Sequence, residues 1–227
     1  LYVAYDKKEI LKGINFKLKE KEKVLLLGPN GAGKSTFLKA IAGILKLQNG
    51  KLFYDGKEIT KIPVFERVKM GIVYLKQERE IFPNLSVKEN LEIAGYELSK
   101  KEFQENLEKF LKFFPNIKKQ FYKRAGLLSG GDRRSLGILM MLLKSPRLLL
   151  LDEPTAGLAP KTAKKILEKL EEVQSYMEIT TLMVEHNIHL AAKKVEKVII
   201  LKEGKIVFEE VLKNKKLDME KIFRFYF

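Results

Sequence analysis

The segment Gly28-Pro-Asn-Gly-Ala-Gly-Lys-Ser35 limits what this chain can be more than any other stretch of it. It matches the pattern G-x-x-x-x-G-K-[ST], in which closely spaced glycines let the backbone wrap around phosphate groups. Successive N–H groups and the start of a following helix supply positive potential there. In that pattern Lys34 reaches the β- and γ-phosphates of a nucleotide, and Ser35 ligates Mg²⁺. The context agrees. Lys23-Val-Leu-Leu-Leu27 reads as a buried strand before the loop, and Lys34 to Ala42 as a helix after it. A plain strand–helix turn would need neither Lys34 nor Ser35. The candidate phosphate-binding set is Gly28, Pro29, Asn30, Gly31, Ala32, Gly33, Lys34, Ser35 and Thr36.

A second apolar run, Leu148-Leu-Leu-Leu-Asp152-Glu153, ends in two carboxylates. Successive strand residues point in opposite directions, so one carboxylate can face a metal ion while its neighbour faces water. That division suits phosphoryl transfer, in which the protein mainly positions groups and stabilises charge. Asp152 is the candidate for the Mg²⁺ shell and Glu153 for the base acting on the attacking water. Taken in isolation, Asp-Glu before Pro154 would equally suit a helix-capping pair.

The surrounding chain reads as α/β. Short continuous apolar runs, including Arg147 to Leu151, Thr181 to Val184 and Val198 to Leu201, suit strands covered on both faces by helices. Leu1 to Tyr5, Ile10 to Leu18 and Lys51 to Tyr54 alternate more, which predicts an antiparallel portion at one edge. The middle, about 86–144, predicts helices at Val87 to Ala94, Lys100 to Phe113 and Gly130 to Lys144, a helical insert between two halves of the core. The chain contains 44 Lys and Arg against 29 Asp and Glu, a net charge of +15. That balance admits nucleic acid, an anionic membrane surface, or simply a lysine-rich proteome; the scatter of the lysines sets no stripe apart. There is no cysteine, which removes disulfides, thiolate metal sites and cysteine nucleophiles. No apolar run approaches the ~18 residues of a membrane span, and no signal peptide is visible.

Further segments carry a family resemblance. Leu128-Ser-Gly-Gly-Asp132 opens a predicted helix just upstream of the acidic strand and resembles the signature motif of ABC ATPases. His186 sits where those proteins carry their switch histidine, Gln77 where they carry the Q-loop glutamine, and Tyr5 where an aromatic residue stacks on adenine. Singly, each would be an ordinary surface amide, core aromatic or loop histidine. The order Tyr5, Lys34, Gln77, Ser129, Asp152, His186 is that of an ABC nucleotide-binding domain, and it spans essentially the whole chain.

The resemblance implies an α/β P-loop NTPase: an ABC cassette over residues 1–227 with a mostly parallel core sheet, an antiparallel β edge portion and a helical subdomain at about 86–144. It implies ATP and Mg²⁺ as ligands, with Gln77 joining Ser35 and Asp152 near the metal. Glu153, Gln77 and His186 would be the catalytic groups. Two cassettes, identical or paralogous, would pair head to tail around two ATP molecules, so that Ser129, Gly130 and Gly131 face the γ-phosphate held by the partner. The other implied partners are transmembrane permease subunits at the cytoplasmic face of the membrane; nucleic acid is not expected.

Arg79-Glu-Ile-Phe-Pro83, Leu85-Ser-Val87, Phe114-Pro115 and Ala156-Gly-Leu-Ala-Pro160 look like the branched-chain amino acid uptake ATPases and the related urea and amide importers. Tyr74-Leu-Lys-Gln-Glu78 and Asp132-Arg-Arg134 are also similar to lipopolysaccharide-export ATPases. Two other classes are a soluble ABC ATPase acting on ribosomes or DNA, against which the single phosphate loop and the lack of sustained heptads speak, and a pseudo-ATPase scaffold, against which the presence of Lys34, Glu153 and His186 speaks. Three residues depart from the family pattern: Asp132 stands for the usual Gln or Glu, Lys76 for a common Pro, and Met140 for a frequent Arg. The aromatic tail Phe223 to Phe227 is expected to pack on the cassette.

Overall fold

A computed structural model describes residues 1–5, 8–76, 81–212 and 218–226. In chain order the elements are β1 (Tyr2–Tyr5), β2 (Lys8–Lys12), β3 (Lys23–Leu27), α1 (Lys34–Ala42), β4 (Phe53–Tyr54), β5 (Lys57–Glu58), α2 (Val64–Lys69) and β6 (Ile72–Leu75). There follow α3 (Val87–Ala94), α4 (Lys100–Leu111), α5 (Pro115–Lys118), α6 (Gly130–Leu142), β7 (Leu148–Asp152) and α7 (Pro160–Met177). The last are β8 (Thr180–Val184), α8 (Ile188–Ala191), β9 (Lys197–Lys202), β10 (Lys205–Val211) and α9 (Met219–Tyr226).

Six strands form one sheet in the order β10-β9-β3-β8-β7-β6. The pairs β9–β3, β3–β8, β8–β7 and β7–β6 are parallel, and β10 closes one edge antiparallel to β9. The apolar runs are continuous because both faces of the sheet are covered. Leu25, Leu27, Leu149, Leu151, Val198 and Ile200 face a core shared with α3–α7 and α9. Val24, Leu26, Leu148, Leu150, Ile199 and Leu201 face a second core, shared with α1 and with β1 and β2. Alternation along a strand therefore divides one run of leucines between two cores.

The antiparallel elements are placed differently from the expectation. β1–β2 and β4–β5 are two separate two-stranded sheets, and the antiparallel edge of the main sheet is β10, near the end of the chain. The strand expected over Ile10 to Leu18 stops at Lys12, because the amides of Gly13 and Ile14 turn back to the Leu1 carbonyl at 3.1 and 3.0 Å instead of continuing a ladder. Helix ends moved by two residues: α4 ends at Leu111 rather than Phe113, ahead of Pro115, and α6 at Leu142 rather than Lys144, ahead of Pro146.

Helices α3 to α6 fall between β6 and β7, which are neighbours in the sheet. Two of them begin with reciprocal caps. The Ser86 hydroxyl oxygen accepts from the Glu89 amide while Glu89 accepts from the Ser86 amide, and Ser99 pairs with Glu102 in the same way. At the far end of the chain Ile222 of α9 is fully buried, and Phe225 stacks on Phe208 with ring centroids 5.0 Å apart. Phe225 of the aromatic tail is thus packed on the body of the protein; the side chains of Phe223, Tyr226 and Phe227 lie outside the described residues. No helix among the described residues is long and apolar enough to cross a membrane.

Candidate functional site

The loop between β3 and α1 places Gly28 to Gly33 at the carboxyl end of the parallel strands, where α/β sheets present their ligand sites. Gly28 has φ +146, and a Cβ there would lie 2.0 Å from the Leu201 carbonyl oxygen, so the loop can pass between β3 and β9 only as glycine. Pro29 and Ala32 close a turn, with the Ala32 amide donating to the Pro29 carbonyl at 3.2 Å, and Asn30 is exposed at its tip. No side chain caps the N-terminus of α1. Its first amides, including those of Ser35 and Thr36, are therefore the kind of orphan donors that bind phosphate.

Lys34 is only 7% exposed, and its ammonium donates to the carbonyls of Gly28 at 2.7 Å and Pro29 at 3.0 Å. Burial pushes its pKa down, opposed by the nearby carboxylates of Glu153 and Asp152. A phosphate entering the loop would meet a lysine already folded onto it.

Asp152, at the end of β7, is the most constrained carboxylate in this region. Its Oδ1 accepts from the Ser35 hydroxyl at 2.9 Å, and its Oδ2 accepts from the Tyr74 hydroxyl at 2.7 Å. Burial, then the bond to Asp152, push the Tyr74 hydroxyl pKa up, so it stays a donor. Two adjacent hard oxygens from Ser35 and Asp152 fit Mg²⁺, which takes one or two protein oxygens and completes its shell with phosphate and water. Among the described residues no group of three or more His, Cys, Asp or Glu side chains is placed to hold a metal ion.

One residue further on, Glu153 has φ 50, a left-handed conformation that non-glycine residues rarely adopt. Its amide donates to the Val184 carbonyl at 2.9 Å. Its Oε1 lies 2.8 Å from His186 Nε2, within hydrogen-bonding distance. The loop carrying His186 is held by Glu185, which is only 5% exposed: Oε1 accepts from the His186 amide at 2.8 Å and the Asn187 amide at 3.2 Å, while Oε2 accepts from the Thr155 hydroxyl at 2.6 Å.

Two further candidate positions, Tyr5 and Ser129, lie on other elements. Tyr5 ends β1 and is 44% exposed. Ser129 caps α6: its oxygen accepts from the Asp132 amide at 3.1 Å, and its hydroxyl donates to the Asp132 carboxylate at 2.8 Å. No hydrogen bond joins Ser129, Gly130 or Gly131 to the phosphate loop among the described residues. Gln77 lies outside the described residues.

Tyr74, Glu185, Thr155 and Arg134 were not singled out from the sequence as site residues. For Glu185 a signal existed, because a carboxylate directly after the apolar run Thr181 to Val184 repeats the pattern of Asp152 and Glu153. For Tyr74 none existed, since its partner is set by the pairing of β6 with β7.

The family profile described as ABC transporter matches residues 11–156. The chain is 36% identical over 222 residues to a probable branched-chain amino acid transport ATP-binding protein LivF of Archaeoglobus fulgidus, covering 96% of this chain and 94% of the relative. It is 35% identical over 206 residues to the high-affinity branched-chain amino acid transport ATP-binding protein BraG of Pseudomonas aeruginosa, covering 91% and 88%. It is 33% identical over 210 residues to the lipopolysaccharide export system ATP-binding protein LptB of Acidithiobacillus ferridurans, covering 91% and 86%. Among solved structures, a nucleotide-free ATP-binding cassette from an ABC transporter superposes with TM-score 0.86 at 25% identity, covering 98% of this chain and 92% of the other. A dimeric cassette in a post-hydrolysis state, bound to ADP and Pi, superposes with TM-score 0.80 at 28% identity, covering 93% and 95%.

Proposed function

This chain belongs to the ABC transporter family as an ATP-hydrolysing, ATP-binding subunit, and from that premise we propose that it drives import of branched-chain amino acids or a related small polar solute. Two relatives named for branched-chain amino acid transport, each matched over most of its length, support that substrate class. The similarity to LptB favours lipopolysaccharide export as the second reading. Deleting the gene from its host separates the two. Import predicts loss of labelled leucine, isoleucine and valine uptake with an intact envelope; unchanged uptake with an envelope defect would favour export.

The observation that carries the chemistry is the Glu153–His186 pair beside the Ser35–Asp152 pair, at the mouth of the phosphate loop. ATP would lie with its phosphates on the loop amides and Lys34, and its adenine near Tyr5. Ser35 and Asp152 would hold Mg²⁺, which would neutralise charge on the phosphate oxygens. Glu153 would take a proton from water as the water oxygen bonds to the γ-phosphorus and ADP leaves with the electrons of the broken P–O bond. His186, paired with Glu153 in this structure, would hold the γ-phosphate. Gln77 would join the metal and water from its loop.

A second cassette, paired head to tail, would bring its Ser129, Gly130 and Gly131 against the γ-phosphate. Permease subunits would hold the pair at the cytoplasmic face of the membrane, and the helices at about 86–144 would form a subdomain facing them. The test is Glu153→Gln: ATP binding is expected to persist while turnover falls by about 10²–10⁴-fold, the range for loss of a positioned base. Turnover near the wild-type rate would remove Glu153 from that role.

A further inference from the structure

Glu153 is not the sole side-chain-bearing residue in a left-handed conformation. Lys21, Asp55, Ser145, Glu178 and Glu203 share it, but each of these sits in a turn or at a helix end, where such backbone is ordinary. Glu153 follows directly on the interior strand β7 and opens a turn within the site, its carbonyl accepting from the Ala156 amide at 3.1 Å. A conformation of this kind persists only where the surroundings over-determine it.

Arg134 joins the Glu153 amide's bond to Val184 and the Ala156 amide's bond to the Glu153 carbonyl in supplying that determination. It lies on α6, one turn from Ser129, and is 8% exposed. Its guanidinium donates from Nη2 to the Glu153 carbonyl at 2.6 Å, from Nε to the Pro154 carbonyl at 2.5 Å, and from Nη1 to the Lys76 carbonyl at 3.0 Å. Two of these bonds clamp the peptides immediately after the catalytic side chain. The third reaches the residue before Gln77. On the opposite side, Thr155 is tied to Glu185 and so to the loop of His186. The planar, forked guanidinium suits divergent carbonyls as no other side chain does.

We propose that Arg134 is a positioning residue for hydrolysis: it holds the Glu153–Pro154 backbone in the turn that aims the Glu153 carboxylate, and joins that turn to the signature helix α6 and to Lys76. The proposal rests on the reading of Glu153 as the base. It gives α6 a direct mechanical connection to the base, so that a movement of the helix start at Ser129 reaches Glu153 through one side chain.

The experiment compares steady-state ATP hydrolysis by the wild-type chain, Arg134→Met, Arg134→Lys and Glu153→Gln, with thermal melts and fluorescent-nucleotide binding on each. The expected result for Arg134→Met is a kcat lower by roughly 10–100-fold, the cost of a misplaced catalytic group, with KM and nucleotide affinity within about threefold of wild type. Arg134→Lys, which keeps charge and some donors, should fall between the two. Should Arg134→Met fail to fold, the split between kcat and KM in Arg134→Lys decides. A wild-type kcat in a folded Arg134 variant, or losses of kcat and nucleotide affinity that track the loss of folded protein, would overturn the proposal while Glu153→Gln remained inactive. An active Glu153→Gln would overturn the base assignment and the proposal with it.

Discussion

Asp152 has both carboxylate oxygens occupied, one by Ser35 and the other by Tyr74, and the two bonds differ in what they do. The Ser35 bond belongs to the nucleotide face; the Tyr74 bond comes from the neighbouring strand and holds the carboxylate in place. Replacing Tyr74 by Phe leaves a buried charged acceptor without that donor, at a cost of about 1.5–3 kcal/mol in urea unfolding. The pH dependence has a definite sign. The folded-state pKa of Tyr74 is raised, so its stabilising contribution is complete below the ordinary tyrosine value and is lost as pH rises above it. The wild-type chain should therefore lose stability above about pH 10 more steeply than Tyr74→Phe; parallel curves would show that the hydroxyl is not held as described. Lys34, Ser35, Asp152 and Glu153 stand out in the sequence because each follows an apolar strand in a recognisable pattern, whereas His186 stands out only through the family resemblance. Tyr74 and Arg134 do not stand out, because their partners depend on strand pairing and on the seating of α6, neither of which leaves a local pattern.

Helix α6 meets α7 at its first turn, where only the smallest residue fits. A Cβ on Gly131 would lie 2.6 Å from the Thr162 methyl, on a β-branched side chain with little freedom to move. Gly131→Ala should destabilise the chain by about 1–3 kcal/mol through overpacking. Adding Thr162→Ala removes that methyl, so the double variant should recover most of the stability. If Gly131 also faces a partner's phosphate, ATP turnover of the double variant should stay low; recovery of turnover along with stability would confine Gly131 to packing. At this scale the strands β3, β7, β8 and β9 were readable to within a residue or so because both of their faces are buried. The helix α7 carries an equally plain period in Ala163, Ile166, Leu167, Leu170 and Val173, which the sequence reading left unassigned. The sheet order was not readable at all, since parallel neighbours such as β3 and β8 are far apart in the chain and the intervening sequence does not say which strand lies beside which.

For the molecule as a whole, the proposed pairing of two copies would set one net charge of +15 against another. Like charges of this size oppose association, and ATP bound between two cassettes would offset them with its own negative charge. Ser129 complicates that picture, because its hydroxyl is bonded at 2.8 Å to the Asp132 carboxylate, a negative charge placed where the proposed dimer brings in a γ-phosphate. Asp132 favours the N-terminus of α6 in the isolated chain through the helix dipole, and it disfavours an anion arriving at the same spot. Light scattering on Glu153→Gln, with and without ATP, reads the balance. If the sandwich forms, ATP should shift the mass from one chain to two, and adding Asp132→Asn should raise the dimer fraction at a given protein concentration while lowering the stability of the free chain by about 0.3–1 kcal/mol. A dimer that forms in Glu153→Gln but is unaffected by Asp132→Asn would place Ser129 away from the phosphate. No dimer in either variant would mean that a paralogous cassette or the permease subunits must supply the other half of the site.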